Sequence, residues 1–443
     1  MISTALCLAA FAAGANDAVL ELGERLFHDT RFGSSAADMS ASCAACHMPA
    51  DPQGDRAFTQ DLAKSWHPWR REDPTRDTLR NSPTLFDTAA MPALHYDGEF
   101  ASLEEQAAKT FVGRNFGWLP GERDAALAKI RDAVVSDTAY PGLFRRAFDC
   151  DVSKADREKL LDCMADATAK FMRTLESPRT TPYDVFMRAN GLDESPADGE
   201  TPKTYGARIL AAIEDSENRA ALRRPAEFDD DALAGLKIFL RTSGNDRAGN
   251  CVACHVPPFF SDFAFHNTGV TQDEYERLHG AESFMKYPVP PRRSADAPAP
   301  ERMSVALQGR PELADLGYWN YAKPNAENGA EEEFFERAIA SFKTPTLRHL
   351  GSTSPYMHNG LYATIESAVH QKIRAAFLAR MGQLRNADPE LLNIRIMEDD
   401  IRPLFAFLNA LNEPGGRRAT PSNDVLPAEG TKAYVTYSPE DQE

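Results

Sequence analysis

Two pentapeptides carry the clearest chemistry in this chain of 443 residues: Cys43-Ala44-Ala45-Cys46-His47 and Cys251-Val252-Ala253-Cys254-His255. Two thiols separated by two residues, with a histidine directly after the second, form the attachment pattern of c-type haem. Thioether bonds to the two vinyl groups of one porphyrin need sulfurs held a short, fixed distance apart, and the adjacent imidazole then reaches the iron as proximal ligand. With seven Cys and ten His in the chain, chance would supply about 0.002 copies of this pattern. A zinc site made of four cysteines also uses Cys-x-x-Cys pairs, but it does not require a histidine after each pair. Cys43, Cys46, Cys251 and Cys254 are therefore assigned to two covalently bound haem c groups, with His47 and His255 as the proximal iron ligands.

The elements that must position these motifs repeat with them. Apolar residues at helical spacing in Val19–Phe27 lead into the first motif, and Asp229 to Asp231 offer an N-cap for the helix that leads into the second. Ser82-Pro83-Thr84-Leu85 is followed by Tyr96-Asp97-Gly98 and Ala101-Ser102-Leu103-Glu104. Thr344-Pro345-Thr346-Leu347 is followed in the same way by His358-Asn359-Gly360 and Ala363-Thr364-Ile365-Glu366. Each half thus holds a haem motif, a Pro-Thr-Leu turn, an Asp/Asn-Gly turn and a helix. Ser102 with Glu105 forms a capping box. Further helices are predicted over 157–177, 208–224, 365–381 and 389–411. The expected architecture is mostly α: two cytochrome c-like haem domains with long loops, over 16–215 and 216–412. Residues 413–443 form a polar tail expected to be unstructured, and 271–330 a Pro-rich, charged surface insertion.

Composition is that of an ordinary globular protein, 42% apolar and 26% charged. A formal net charge of −17 argues against nucleic acid and anionic membrane surfaces, and leaves room for a basic redox partner. Residues 1–15 are apolar and small, like a signal peptide, although no Lys or Arg precedes the run; a buried N-terminal helix is the alternative. The run is too short to span a bilayer. A signal peptide implies a periplasmic location, where Cys150 and Cys163 could close into a disulfide; two buried free thiols are the other reading.

Taken jointly, LGERLFHDTRF before CAACH, RNSPTLFDTA, YDGEFASLEEQA, FMRTLESPRTTPYDVF, LAGLKIFL before CVACH, FFSDFAFHNTG and FKTPTLRHLGSTSPYMHNG resemble the bacterial dihaem cytochrome c peroxidases and their MauG-type relatives, over residues 19 to 411. The resemblance implies two haem domains facing a shared interface, with peroxide bound at the N-terminal haem and electrons passed through the C-terminal one. It implies a calcium ion held by Asn81 with the carbonyls of Thr353 and Pro355, a donor set that suits a hard cation. It makes His67, in Trp66-His67-Pro68-Trp69, a displaceable ligand of the first haem, against the plainer reading of an exposed loop histidine. Arg348, directly after the second Pro-Thr-Leu, is counted with the residues that hold the second haem.

At the first haem the family places a glutamine and, ten residues on, a glutamate, to move a proton and polarise the O–O bond. Gln106 is present, but the second position is Phe116. Glu122 and Arg114 are the remaining polar candidates. Tyr96 stands where the family has an inter-haem tryptophan, and Trp118 is a further redox-active or core aromatic. The position of the second haem's sixth ligand is Lys372, whose neutral amine can bind iron when burial lowers its pKa. Met381 is its rival, and His370 and Met357 are weaker candidates.

The expectation is an exported dihaem oxidoreductase that reduces hydrogen peroxide with electrons from a small redox protein, a cytochrome c or cupredoxin, with a homodimer permitted. The alternatives are MauG-like, peroxide-dependent oxidation of a protein or other substrate, and a non-enzymatic electron-transfer cytochrome.

Overall fold

The computed structural model describes residues 16–34, 42–48, 80–118, 121–244, 247–288, 314–322 and 331–414. Residues 1–15, His67, most of the 271–330 insertion and nearly all of the tail lie outside the described residues. The fold is mostly α, as the periodicity predicts.

Helix α1 (residues 16–28) buries Val19, Leu22, Leu26 and Phe27 at the spacing read from the sequence. After the short α2 (Cys43–Cys46) come α3 (Leu103–Phe111), α4 (Arg123–Ser136), α5 (Tyr140–Phe148) and α6 (Arg157–Arg173). The Ser102 hydroxyl accepts from the Glu105 N–H at 3.1 Å, which starts α3 where the capping motif places it. Leu22, Phe32, Phe111, Ile130, Phe144 and Leu160 form the centre of this half's core. Cys150 and Cys163 sit in the same core as buried, free thiols in contact with each other.

The second half contains α7 (Pro182–Ala189), α8 (Pro202–Asn218), α9 (Asp230–Leu240), α10 (Val270–His279), α11 (Glu331–Ala338), α12 (Ile365–Arg380) and α13 (Ile401–Asn409). Asp229 caps α9, accepting from Ala232 N at 2.8 Å. Tyr183, Phe186, Tyr205 and Ile209 from α7 and α8 pack with Phe239 and Phe407. The second core thus begins with α7, well ahead of residue 216. The helix expected over 389–411 is broken. Pro389–Asn393 and Glu398–Asp400 are single 3-10 turns, and Arg395 between them pairs as an extended residue with Ala248 before α13 begins. Two short strands, β1 (Phe265–His266) and β2 (Phe342–Lys343), pair antiparallel with Phe265 opposite Lys343. Among the described residues, no helix is long and apolar enough to cross a membrane.

The sequence repeat is also a structural repeat. Bridges Leu94↔Phe100 and Tyr356↔Tyr362 close equivalent loops, and Asp87 and His349 take the same left-handed φ, 60° and 63°. The two leading helices also cross their partners alike. A Cβ on Gly23 would lie 2.1 Å from the Ala167 carbonyl oxygen of α6, and one on Gly235 2.0 Å from that of Pro403 in α13. Both glycines permit backbone contact at the crossing. Gly23→Ala and Gly235→Ala are each expected to destabilise by about 1–3 kcal/mol, read as a lowered denaturant midpoint at unchanged m-value.

Candidate dihaem site

A single cavity runs between the halves and is lined by Cys43, Cys46, Cys251, Cys254 and both motif histidines. It encloses about 3100 Å³ of empty space, open mouths included. In each motif a tight turn brings the histidine back over the first cysteine, with His47 N donating to Cys43 O at 2.9 Å and His255 N to Cys251 O at 2.8 Å. His47 Nδ1 lies 3.0 Å from the Pro83 carbonyl, and His255 Nδ1 3.0 Å from that of Phe260. A backbone carbonyl only accepts, so Nδ1 carries the proton and Nε2 keeps its lone pair for iron. Burial pushes the His255 pKa down to about 4, which holds that imidazole neutral. These residues fit two covalently held haems.

On the first haem's side the cavity wall includes Gln106, Thr110, Asn115 and Phe116. Gln106 Nε2 donates to Thr110 Oγ1 at 2.9 Å, one helical turn on. Phe116 is 1% exposed and packs edge-on to Phe111, at 5.3 Å between centroids. The position ten residues after Gln106 is therefore an apolar wall. Glu122 precedes α4 and does not line the cavity; it is corrected from a distal candidate to a residue beside the helix start. Arg114 belongs to the 3-10 turn Arg114–Phe116, and its side chain lies outside the described residues. Thr110 and Asn115 went unnoticed in the sequence, although Thr110 stands one helical turn from Gln106. Trp118 is a core residue whose Nε1 donates to Phe32 O at 3.1 Å.

Between the haem motifs, Tyr96 lines the cavity, and burial raises its pKa. Its carbonyl accepts from Lys343 N at 2.7 Å, which ties the first Asp-Gly loop to β2. Its ring approaches His358 at 6.5 Å between centroids, and His358 stacks on Phe342 at 3.5 Å. Buried Arg80 joins the halves by a bidentate pair with Asp315, 2.7 Å for each bond, and by an ion pair with Asp97.

On the second haem's side, Lys372 lines the cavity and Met381 does not. Met381 follows the end of α12 and is 59% exposed, so it is corrected to a surface residue. His370 is half-buried and faces Glu398 at 3.8 Å. Lys372 is enclosed, its Nζ donating to Thr268 Oγ1 at 2.7 Å, and burial lowers its pKa to about 8. Arg348 lines the cavity as well. Its guanidinium is taken up by Asp184, at 3.0 and 2.8 Å, and its Nε donates to Pro258 O at 2.8 Å. It braces the loop that ends at Phe260, the residue whose carbonyl orients His255.

Asn81 stands at the junction of the repeats. Its N–H donates to His358 O at 2.6 Å, its side-chain amide lies against the Pro355 carbonyl, and its Oδ1 is buried without a partner. Turning the amide over would present Oδ1 to the same carbonyl. Facing oxygens of that kind are stabilised by a hard cation. Thr353 lines the same cavity beside this loop. The donor set fits calcium.

The family model described as "Di-haem cytochrome c peroxidase" matches residues 17–191. The chain is 26% identical over 442 residues to the methylamine utilization protein MauG of Paracoccus denitrificans, covering 90% of this chain and 89% of that one. It is 25% identical over 400 residues to the cytochrome-c peroxidase IdrP1 of Denitromonas iodatirespirans, covering 88% and 80%. The diheme peroxidase BthA of Burkholderia thailandensis shares the fold, with a TM-score of 0.56 at 20% identity over 91% of this chain and 90% of that one. Together with the two haem motifs, these likenesses support a divergent member of the dihaem cytochrome c peroxidase and MauG family, whose named members are oxidoreductases.

Proposed function

We propose that this chain is an exported, periplasmic dihaem enzyme whose first haem site receives hydrogen peroxide and whose second passes electrons inward, with Lys372 as the second iron's sixth ligand. The observation that carries this reading is the asymmetry of the cavity. An enclosed amine reaches into the second haem's side, whereas hydrogen-bonding groups, Gln106 with Thr110 and Asn115, stand on the first. Bound haem would supply the iron that takes oxidising equivalents from peroxide. The chain supplies position: the Gln106 carboxamide, held by Thr110, can hydrogen-bond a peroxide oxygen, and the Phe116 ring keeps water from that wall.

The buried Phe116 removes the carboxylate that fast proton transfer would use. That favours a MauG-like role, in which the oxidising equivalents go to a protein or other substrate through Tyr96, over rapid turnover with a small cytochrome c or cupredoxin. Steady-state peroxide consumption with a reduced small redox protein tests the assignment. Gln106→Leu is expected to slow it by about 10²-fold; an unchanged rate would place peroxide chemistry elsewhere.

Asn81, with the Thr353 and Pro355 carbonyls, would hold the calcium ion that links the two repeats. Chelation with EGTA is expected to lower the melting temperature of the holoprotein and calcium to restore it. Asn81→Ala should have the lowered value from the outset and no response to calcium.

A further inference from the structure

We propose that Thr268 is a positioning residue for the second haem, its hydroxyl holding the Lys372 amine in the orientation that presents a lone pair to iron. The inference rests on the reading of Lys372 as that haem's sixth ligand.

Lysine ends in a small amine on a flexible four-carbon stem with no geometric preference of its own. A lysine that serves as a fixed ligand therefore needs a partner that limits its rotation. Here the partner is one hydroxyl, with Lys372 Nζ donating to Thr268 Oγ1 at 2.7 Å. An amine bound to iron through its lone pair keeps its N–H bonds free to donate, so coordination and this hydrogen bond are compatible. Among the described residues no carboxylate pairs with Lys372, and the site is built for an amine without a counter-ion.

The acceptor is itself immobile. Gln371, the preceding residue of α12, donates from Nε2 to the Thr268 carbonyl at 2.7 Å. Neighbouring helix positions point roughly 100° apart, so two contacts from 371 and 372 to one residue fix the loop's rotation about α12. On one flank Asn267 Nδ2 donates to Arg385 O at 2.8 Å, and Asn267 Oδ1 accepts from Gly269 N at 2.9 Å. Gly269 takes φ +82°, and a Cβ there would meet Leu384 at 2.8 Å. On the other flank, β1 is paired to β2 through Phe265 and His266. Every residue from 265 to 269 is thereby anchored by backbone or side chain, and Thr268 Oγ1 is presented at a set point on the cavity wall.

The test compares Thr268→Val, Thr268→Ala, Thr268→Ser and Lys372→Ala as ferric holoproteins. Two readouts other than turnover are used: the low-spin EPR signal of the second haem and its titration with cyanide. Without the hydroxyl, the amine spends more time off the iron. Thr268→Val is expected to bind cyanide at the second haem about tenfold more tightly and to broaden the low-spin signal. Thr268→Ala does the same if valine disturbs the fold, and Thr268→Ser restores the parent behaviour. If Lys372→Ala opens the second haem while Thr268→Val and Thr268→Ala match the parent, the positioning role is overturned and the ligand assignment stands. If Thr268→Ser behaves as valine does, packing rather than the hydroxyl is responsible and the proposal fails. If Lys372→Ala leaves the low-spin signal intact, the ligand assignment falls, and the role of Thr268 with it.

Discussion

Lys372→Ala is expected to convert the second haem from low spin to high spin and to raise its affinity for cyanide by about two orders of magnitude. A site that its internal ligand occupies about 99% of the time presents itself to an external ligand only about 1% of the time, and removing the internal ligand removes that factor. The structure favours this outcome because Lys372 is enclosed with its amine on a hydroxyl, whereas Met381 is 59% exposed and off the cavity. Met381→Ala is therefore expected to leave the spectrum unchanged. Electron entry through the second haem should slow in Lys372→Ala, while peroxide binding at the first haem should persist. Optical titration of the two variants against the parent checks both statements.

Asp184→Ala is expected to cost about 3–5 kcal/mol of stability, the effect of leaving one member of a buried ion pair uncompensated. Burial works against the Asp184 carboxylate, yet Arg348 and Thr181 hold its pKa below the usual carboxylate range. Arg348 is 1% exposed and Asp184 is fully buried. Replacing the pair together, Asp184→Leu with Arg348→Met, should recover most of the loss, because a well-packed apolar pair avoids the desolvation of two charges. Chemical denaturation of single and double variants measures this. The single variant should also perturb the second haem's spectrum, since Arg348 holds Pro258 in the loop that reaches His255 through Phe260.

The parts of the site that are local in sequence were the most legible. Haem attachment is written in five consecutive residues, and the duplicated Pro-Thr-Leu and Asp/Asn-Gly turns reappear as matching bridges and matching left-handed residues. Lys372 and Met381 could not be separated by type, because both are plausible iron ligands. The register of α12 separates them, turning one into the cavity and the other past the helix end. The ion pair of Arg348 was not legible for a different reason: Arg348 lines the cavity, but its partner Asp184 lies 164 residues away in the chain. Thr268 and Asn115 were missed because a lone hydroxyl or amide in a loop has no spacing to mark it. The helix expected over 389–411 has apolar residues at helical spacing, but pairing of Arg395 with Ala248 holds its middle extended.

The most direct test of the whole account is EPR spectroscopy of the half-reduced holoprotein before and after one equivalent of hydrogen peroxide. The account predicts a high-spin ferric signal from the first haem that is lost when peroxide is added. A ferric haem that is low spin throughout and unchanged by peroxide would contradict it.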